Sequence, residues 1–252
     1  MNLELQGKTA LVTGSSRGIG RAIAQILHDE GCNLMLNGRS EAPLREAAAS
    51  FGDRGAFLAC DATSAAASAE LVAATVQRWG ALDLLVCNIG NGQSARPGDE
   101  SAAEWERMVA INLSTATNMV NAAQKPLAAA RGAIVCISSI CGIEVVPGAP
   151  VTYSAAKAAL NAYVRGMARP LGAQGIRINA VAPGNIVFAG SVWERKLAAD
   201  RAAVESMLQR DVALGRLGRD TEVAHAVAFL ASPKAGFITG AVIVIDGGQA
   251  RS

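Results

Sequence analysis

Aromatic residues make up only 4% of the 252 residues, so a core here has to be packed from Ala, Val, Leu and Ile. Charge is also scarce, at 17% Asp, Glu, Lys and Arg, and nearly balanced at a formal +2. The basic residues are scattered and form no run, which removes the electrostatic case for nucleic acid or an anionic membrane as partner. No apolar run approaches the ~20 residues that a membrane-spanning helix needs. The opening Met1–Gly7 lacks a basic segment leading into an apolar one, so no secretory leader is expected. Cysteine is limited to Cys32, Cys60, Cys87, Cys136 and Cys141, with no C-x-x-C, and the only histidines, His28 and His225, stand alone in helical patterns. A zinc site needs close Cys/His pairs, so no metal is expected. The cysteines read as small core residues in a reducing, cytoplasmic setting.

What the chain does have is apolar residues, 51% of the total. They fall in short runs at Thr9–Thr13, Asn33–Asn37, Ala56–Cys60, Leu82–Cys87, Ala133–Ser138, Arg177–Val181 and Ala241–Ile245. Ala-rich segments of helical period lie between them: Ile19–Glu30, Glu41–Ala49, Ala65–Trp79, Ala102–Ala123, Ser154–Leu171 and Thr221–Leu230. Strands apolar on both faces, alternating with helices, predict a doubly wound parallel α/β sheet covered on each side. With no linker and no internal repeat, residues 1–252 are expected to form one domain. Only Pro183–Leu217 breaks the rhythm, with Phe188, Trp193 and a polar helical stretch but no strand of its own. An insertion after a strand end commonly roofs the ligand crevice, so a lid is expected at 187–213.

The first strand leads into Thr13-Gly14-Ser15-Ser16-Arg17-Gly18-Ile19-Gly20 and then a helix. Glycines at such a turn let the backbone approach a pyrophosphate, and the helix N-terminus offers it N–H groups and positive potential. No Gly-Lys-Ser/Thr follows, which argues against a P-loop. Arg17 opposes the helix dipole unless an anion sits beside it. The second strand ends in Gly38-Arg39-Ser40, where an NAD-binding chain usually places an acid for the ribose hydroxyl. An arginine there suits a 2′-phosphate, so the expected cofactor is NADP(H).

Tyr153 and Lys157 lie four apart at the opening of a helix, on one face. An ammonium near the phenol is expected to lower its pKa, fitting Tyr153 to exchange a proton with an alcohol or carbonyl oxygen. Ser138-Ser139, Asn88 and Pro183-Gly184 each end or follow a strand-like run, and open α/β sheets bind ligands beyond the carboxyl ends of their strands.

Taken in order, Thr13–Gly20, Asp61-Ala62, Cys87–Gly90, Asn112, Ser138-Ser139, Tyr153/Lys157, Asn179–Gly184, Leu214–Gly218 and Asp246-Gly247-Gly248 resemble the short-chain dehydrogenase/reductase family. The branch that holds the bacterial 3-oxoacyl-acyl-carrier-protein reductases is the most similar. The resemblance implies a single Rossmann domain, a small carbonyl or alcohol substrate and a homotetramer. It implies a catalytic set of Asn112, Ser139, Tyr153 and Lys157, with Ser138 a competitor for the serine's role. For the cofactor it implies Gly14, Ser15, Ser16, Arg17, Gly18, Ile19, Gly20, Arg39, Ser40, Asp61, Ala62, Asn88, Ile89, Gly90, Tyr153, Lys157, Pro183, Gly184 and Ile186. Asp61-Ala62 are expected at the adenine, Asn88–Gly90 along the adenosine ribose, and Asp246–Gly248 at a subunit contact. There are departures as well. Cys87-Asn88-Ile89-Gly90 replaces the usual Asn-Asn-Ala-Gly, and Phe188 stands where the family often has the threonine that bonds the nicotinamide amide. Ala130 and Gln174 stand where the carrier-protein reductases tend to have arginines. Two other readings compete: a sugar or polyol dehydrogenase on the same scaffold, and an NADP(H)-sensing protein that performs no chemistry.

Overall fold

The computed structural model describes residues 2–250. All seven expected strands form, within a residue or two of their anticipated ends. They are β1 (Thr9–Val12), β2 (Asn33–Gly38), β3 (Gly55–Ala59), β4 (Leu84–Cys87), β5 (Ala133–Ile137), β6 (Arg177–Pro183) and, after the two short strands β7 (Ile186–Val187) and β8 (Gly218–Arg219), β9 (Val242–Ile245). The seven make one sheet in the order β3-β2-β1-β4-β5-β6-β9, with every pair parallel.

Period-two alternation divides the side chains of each central strand between two cores. Ala10, Val12, Leu84, Val86, Val135 and Val181 face one cluster with Ile23, Leu27, Val223 and Val227. Leu11, Leu85, Ile134, Ile178 and Ala180 face the other with Leu71, Met119, Leu160 and Val164. The first cluster is covered by α1 (Gly18–Asp29), α2 (Glu41–Ala49) and α9 (Asp220–Ala231), and the second by α3 (Ala65–Trp79), α5 (Thr115–Ala130) and α6 (Val151–Gly172). Strand order reverses between β1 and β4, and it is there that such sheets open a crevice.

Two expectations need correction. The helix anticipated over Ala102–Ala123 is two helices, α4 (Ala102–Val109) and α5, joined by a π-helical turn over Ala110–Ser114. The 183–217 segment, expected to lack a strand, contributes β7, which pairs with β8 in a separate two-stranded ribbon. Beyond β7 come α7 (Val192–Ala199) and α8 (Arg201–Asp211). They close over their own small core of Val204, Leu208, Val212 and Leu217, with Trp193, Leu197 and Met207 against it. No helix among the described residues is long and apolar enough to cross a membrane, and no His/Cys/Asp/Glu group among them could hold a metal ion.

Candidate active site

The glycine turn is held from two sides. Ser15 Oγ donates to the Val12 carbonyl (2.7 Å) and accepts from Asn37 N–H (3.1 Å). Asn88 Nδ2 donates to the carbonyls of Thr13 (3.1 Å) and Gly14 (2.9 Å), and its N–H reaches Thr13 Oγ1. Asn88, expected beside the ribose, therefore spends its amide on bracing the turn. A Cβ at Gly20 would lie 2.3 Å from the Gly14 carbonyl oxygen and 2.4 Å from Asn88 Nδ2, so only glycine fits there. Gly18 is left-handed (φ 57°), and a Cβ on it would meet the Phe188 ring at 2.6 Å.

Arg17 precedes α1, which has no side-chain cap and no acid in its first turn. The arrangement fits an anion such as a pyrophosphate, because the N–H groups at a helix start and the dipole both favour negative charge. Arg21 is otherwise engaged: it stacks over Phe51 at 4.4 Å and donates to Gln25 and Ser50. Arg39 and Ser40 are exposed beyond the end of β2. Arg39 is not remote from every carboxylate. Asp61 is held below its ordinary range by hydrogen bonds from Thr63 N–H and Oγ, with a contribution from the Arg39 charge. Ala62 is buried behind it.

At the ends of β4 and β5 the second set converges. The π turn aims Asn112 inward, fully buried; such turns recur at functional sites. Its Oδ1 accepts from Asn91 N–H (2.9 Å) while Nδ2 donates to the carbonyls of Asn91 (3.1 Å) and Met108 (3.0 Å). A Cβ at Gly90 would lie 3.0 Å from Lys157 Nζ and 3.1 Å from Asn112 Oδ1. Lys157 is buried from solvent, donates to the Ile137 carbonyl (2.8 Å), and sits 5.9 Å from the centre of the Tyr153 ring.

Ser139 Oγ accepts from Cys141 N–H at 3.2 Å, and its hydroxyl lies near enough to the Tyr153 phenol to work against the rise of that phenol's pKa. Ser138 instead turns toward the backbone carbonyl of Lys157, at 3.5 Å. Of the two serines, Ser139 is the one that meets the tyrosine. Gly142 lets α6 come close, since a Cβ there would lie 2.6 Å from the Lys157 carbonyl carbon.

Burial depresses Lys157 to about 8. Tyr153 is pushed up to about 12, by burial first, with the Ser139 hydrogen bond opposing and the nearby Cys141 adding to the rise. The expectation that Lys157 pulls the phenol down is therefore not met: desolvation dominates the shift, and the Lys157 amine is turned to the Ile137 carbonyl. Chemically, the site holds a neutral phenol beside a second hydroxyl and a buried lysine, next to an uncapped helix start.

Farther along the crevice, Pro183 is buried at the end of β6, and a Cβ at Gly184 would lie 2.7 Å from Asp246 Cβ. Ile186 is turned into the core, while Ile89 packs at the margin of the other cluster. Several residues of the site had no signal in the sequence reading: Asn91, Gly92, Ser94, Glu104 and Thr152, which surround Tyr153 and Asn112. Only the Ser101-x-x-Glu104 spacing, a helix-start pattern, was visible there.

The chain is similar to known proteins over nearly its whole length. Residues 14–250 match the family model described as enoyl-(acyl carrier protein) reductase. The 3-oxoacyl-(acyl-carrier-protein) reductase FabG of Chlamydia muridarum is 34% identical over 255 residues, covering 99% of this chain and 100% of that protein. FabG of Staphylococcus aureus (strain Mu50) is 37% identical over 248 residues, 96% of this chain and 98% of that one. The crystal structure of L-sorbose reductase from Gluconobacter frateurii, complexed with NADPH and L-sorbose, is similar over 100% of both chains, with a TM-score of 0.93 and 27% identity. A short-chain dehydrogenase/reductase of unknown function from Caenorhabditis elegans, solved with cofactor, has a TM-score of 0.89 at 28% identity, over 97% of this chain and 96% of that one.

Proposed function

Because the chain belongs to the short-chain dehydrogenase/reductase family and is an oxidoreductase of C=O/CH–OH groups, we propose that it is an NADPH-dependent ketoreductase with Tyr153 as proton donor. Bound NADPH supplies the hydride. Gly14–Gly20 and the start of α1 hold its pyrophosphate, and Arg39, Ser40 and Arg17 favour a 2′-phosphate. Asp61, Ala62, Ile89 and Gly90 line the adenosine, and Pro183, Gly184 and Ile186 border the nicotinamide. Ser139 orients the carbonyl oxygen, Tyr153 delivers a proton to it as the alkoxide forms, and Lys157 binds the nicotinamide ribose. Asn112 keeps the 91 segment in place beside them. Residues 187–213 act as the lid of this one domain, in a cytoplasmic enzyme.

The observation that carries this reading is the gathering of Ser139 and Lys157 beside a partly buried, neutral Tyr153. A phenol pushed up to about 12 is fully protonated at neutral pH, which suits reduction. The test is Tyr153→Phe, which keeps the ring and removes the proton. Turnover should fall by about 10²–10⁴-fold, the usual range for general acid–base catalysis, with NADPH affinity retained. Alcohol oxidation needs the phenolate, so its kcat/KM should climb with pH without reaching a plateau below ~10. The phenylalanine variant should lose that climb. Near wild-type turnover by Tyr153→Phe would rule the mechanism out.

On substrate, a 3-oxoacyl thioester is favoured by the FabG relatives at 33–37% identity. A keto sugar is the second reading, supported by the fit to L-sorbose reductase over the whole chain. The unpartnered small-residue face of α6 and the exposed edge of β9 support a homotetramer.

A further inference from the structure

Glu104 lies in the first turn of α4, with its carboxylate one-fifth exposed, and it is not among the groups that meet at the tyrosine hydroxyl. Its bonds nevertheless lead there. Oε1 accepts from Ser94 Oγ (2.7 Å), Arg107 Nη2 (2.7 Å) and Ala95 N–H (3.3 Å), and Oε2 accepts from Arg107 Nε (2.8 Å). Arg107 Nη2 also donates to the Gln93 carbonyl at 2.8 Å. The ion pair thus grips three successive residues of one loop, by a carbonyl, a hydroxyl and an N–H.

Proton accounting gives the chain a direction. Arg107 and Ser94 hold Glu104 down to about 2, so the carboxylate can only accept. Ser94 has one hydroxyl proton and gives it to Glu104. The 2.6 Å contact between Ser94 and Thr152 is then a bond donated by Thr152. Thr152 is fully buried and directly precedes Tyr153 in α6.

The loop is fixed at its other end by Asn112, which engages both the N–H and the carbonyl of Asn91. Between the two anchors sits Gly92. A Cβ there would lie 3.9–4.0 Å from the Tyr153 ring carbons, so Gly92 faces the ring across the space that a methyl group would fill. The other charged or titratable groups around that ring are Lys157, and Cys141 on the Ser139 side.

We propose that Glu104 is a positioning residue: through Ser94 and Thr152 it holds the 91–95 loop against the Tyr153 ring and fixes that wall of the active site. The burial that keeps the phenol protonated then depends on a carboxylate on a neighbouring helix. The proposal rests on the reading of Tyr153 as proton donor for its effect on rate, though not for its effect on the ring's environment.

Only two tyrosines occur in the chain, Tyr153 and Tyr163, and the Tyr163 hydroxyl meets no hydrogen-bond partner among the described residues. In a Tyr163→Phe background the phenolate absorbance therefore reports Tyr153 alone. Glu104→Ala should release the loop, admit water to the ring and move the titration midpoint down toward the ordinary ~10 of tyrosine. At the same time kcat/KM should fall about tenfold. Glu104→Gln keeps an acceptor for Ser94 and should recover most of both. Ser94→Ala should move the midpoint as Glu104→Ala does, and the double variant should do no more than either single one.

An unmoved titration in Glu104→Ala, or additive effects of the two substitutions, overturns the proposal. The two readings fail separately. A fully active Tyr153→Phe removes the proton-donor role and leaves the titration result standing. An inactive Tyr153→Phe with an unmoved titration removes only the role of Glu104.

Discussion

On the proposed reading, Arg39 is the residue that favours a phosphate over a hydroxyl at the adenosine ribose. It is exposed at the end of β2, an arginine where a hydroxyl-binding acid would stand, and its electrostatic neighbour Asp61 is already engaged by Thr63. NADP(H) should therefore bind at least about tenfold more tightly than NAD(H), ~1.4 kcal/mol. Arg39→Asp should reverse that order in a fluorescence titration with both cofactors, and equal binding by the unaltered protein would defeat the reading. At this scale the sequence was informative about which side chains gather: Tyr153, Lys157 and Ser139 share one site, and Arg39 lies exposed beyond the end of β2. It was uninformative where a role depends on which partner is reached first. Asn88 was anticipated at the ribose and braces the turn, because its amide finds two carbonyls of the same turn within 3.1 Å. The sign of the Tyr153 shift was missed because desolvation is a property of the packed site and leaves no trace in residue spacing.

The elements of the sheet are held in register partly by charge placed inside the molecule. Arg177 opens β6, and its guanidinium donates to the carbonyls of Leu230, Ala231 and Ser232 at the end of α9, as close as 2.7 Å. Those are carbonyls that a helix end leaves without intrahelical partners, and the cation also meets the negative end of the dipole. Arg177→Ala should destabilise the fold by about 2 kcal/mol, read as a lower urea midpoint at unchanged slope; a midpoint within error of the parent would show the contact to be idle. The seven sheet strands were legible because each is apolar on both faces, which no solvent-facing segment imitates. The break at Ala110–Ser114 was not, since one widened turn barely disturbs the apolar periodicity around it. Strands β7 and β8 were invisible for a different reason: two residues carry no period, and their pairing joins positions 186–187 to 218–219. The Glu104 link joins residues 10 and 58 positions from Ser94, again without a local pattern.

At the scale of the whole molecule, apolar or small-residue surfaces lie exposed on α6 and along β9 among the described residues. On α6, Ala155, Ala158, Ala159, Ala162 and Gly166 are exposed on an outer face of small residues. At the sheet margin, β9 exposes Ile243 and Val244, and Phe237 and Leu214 are bare nearby in sequence or across the 214–247 contact. An apolar edge strand invites pairing with another chain, and two distinct self-complementary patches generate a dimer of dimers. Sedimentation at micromolar concentration should accordingly show a tetramer, with Ala159→Arg or Val244→Lys reducing it to dimers; a monomeric parent would refute the assembly. The proposed lid belongs to this scale too, through the placing of Phe188 against Gly18. The ring lies where any side chain at position 18 would have to go, and the backbone at 18 is left-handed as well. Each position thus restricts what the other can become. A larger residue at 18 is refused while the phenyl ring stays, and trading the ring for a smaller group leaves a gap over the cofactor turn that position 18 cannot fill without strain. Remodelling the segment that carries Phe188 therefore requires altering both ends of the contact together, which ties the proposed substrate roof to the proposed cofactor floor.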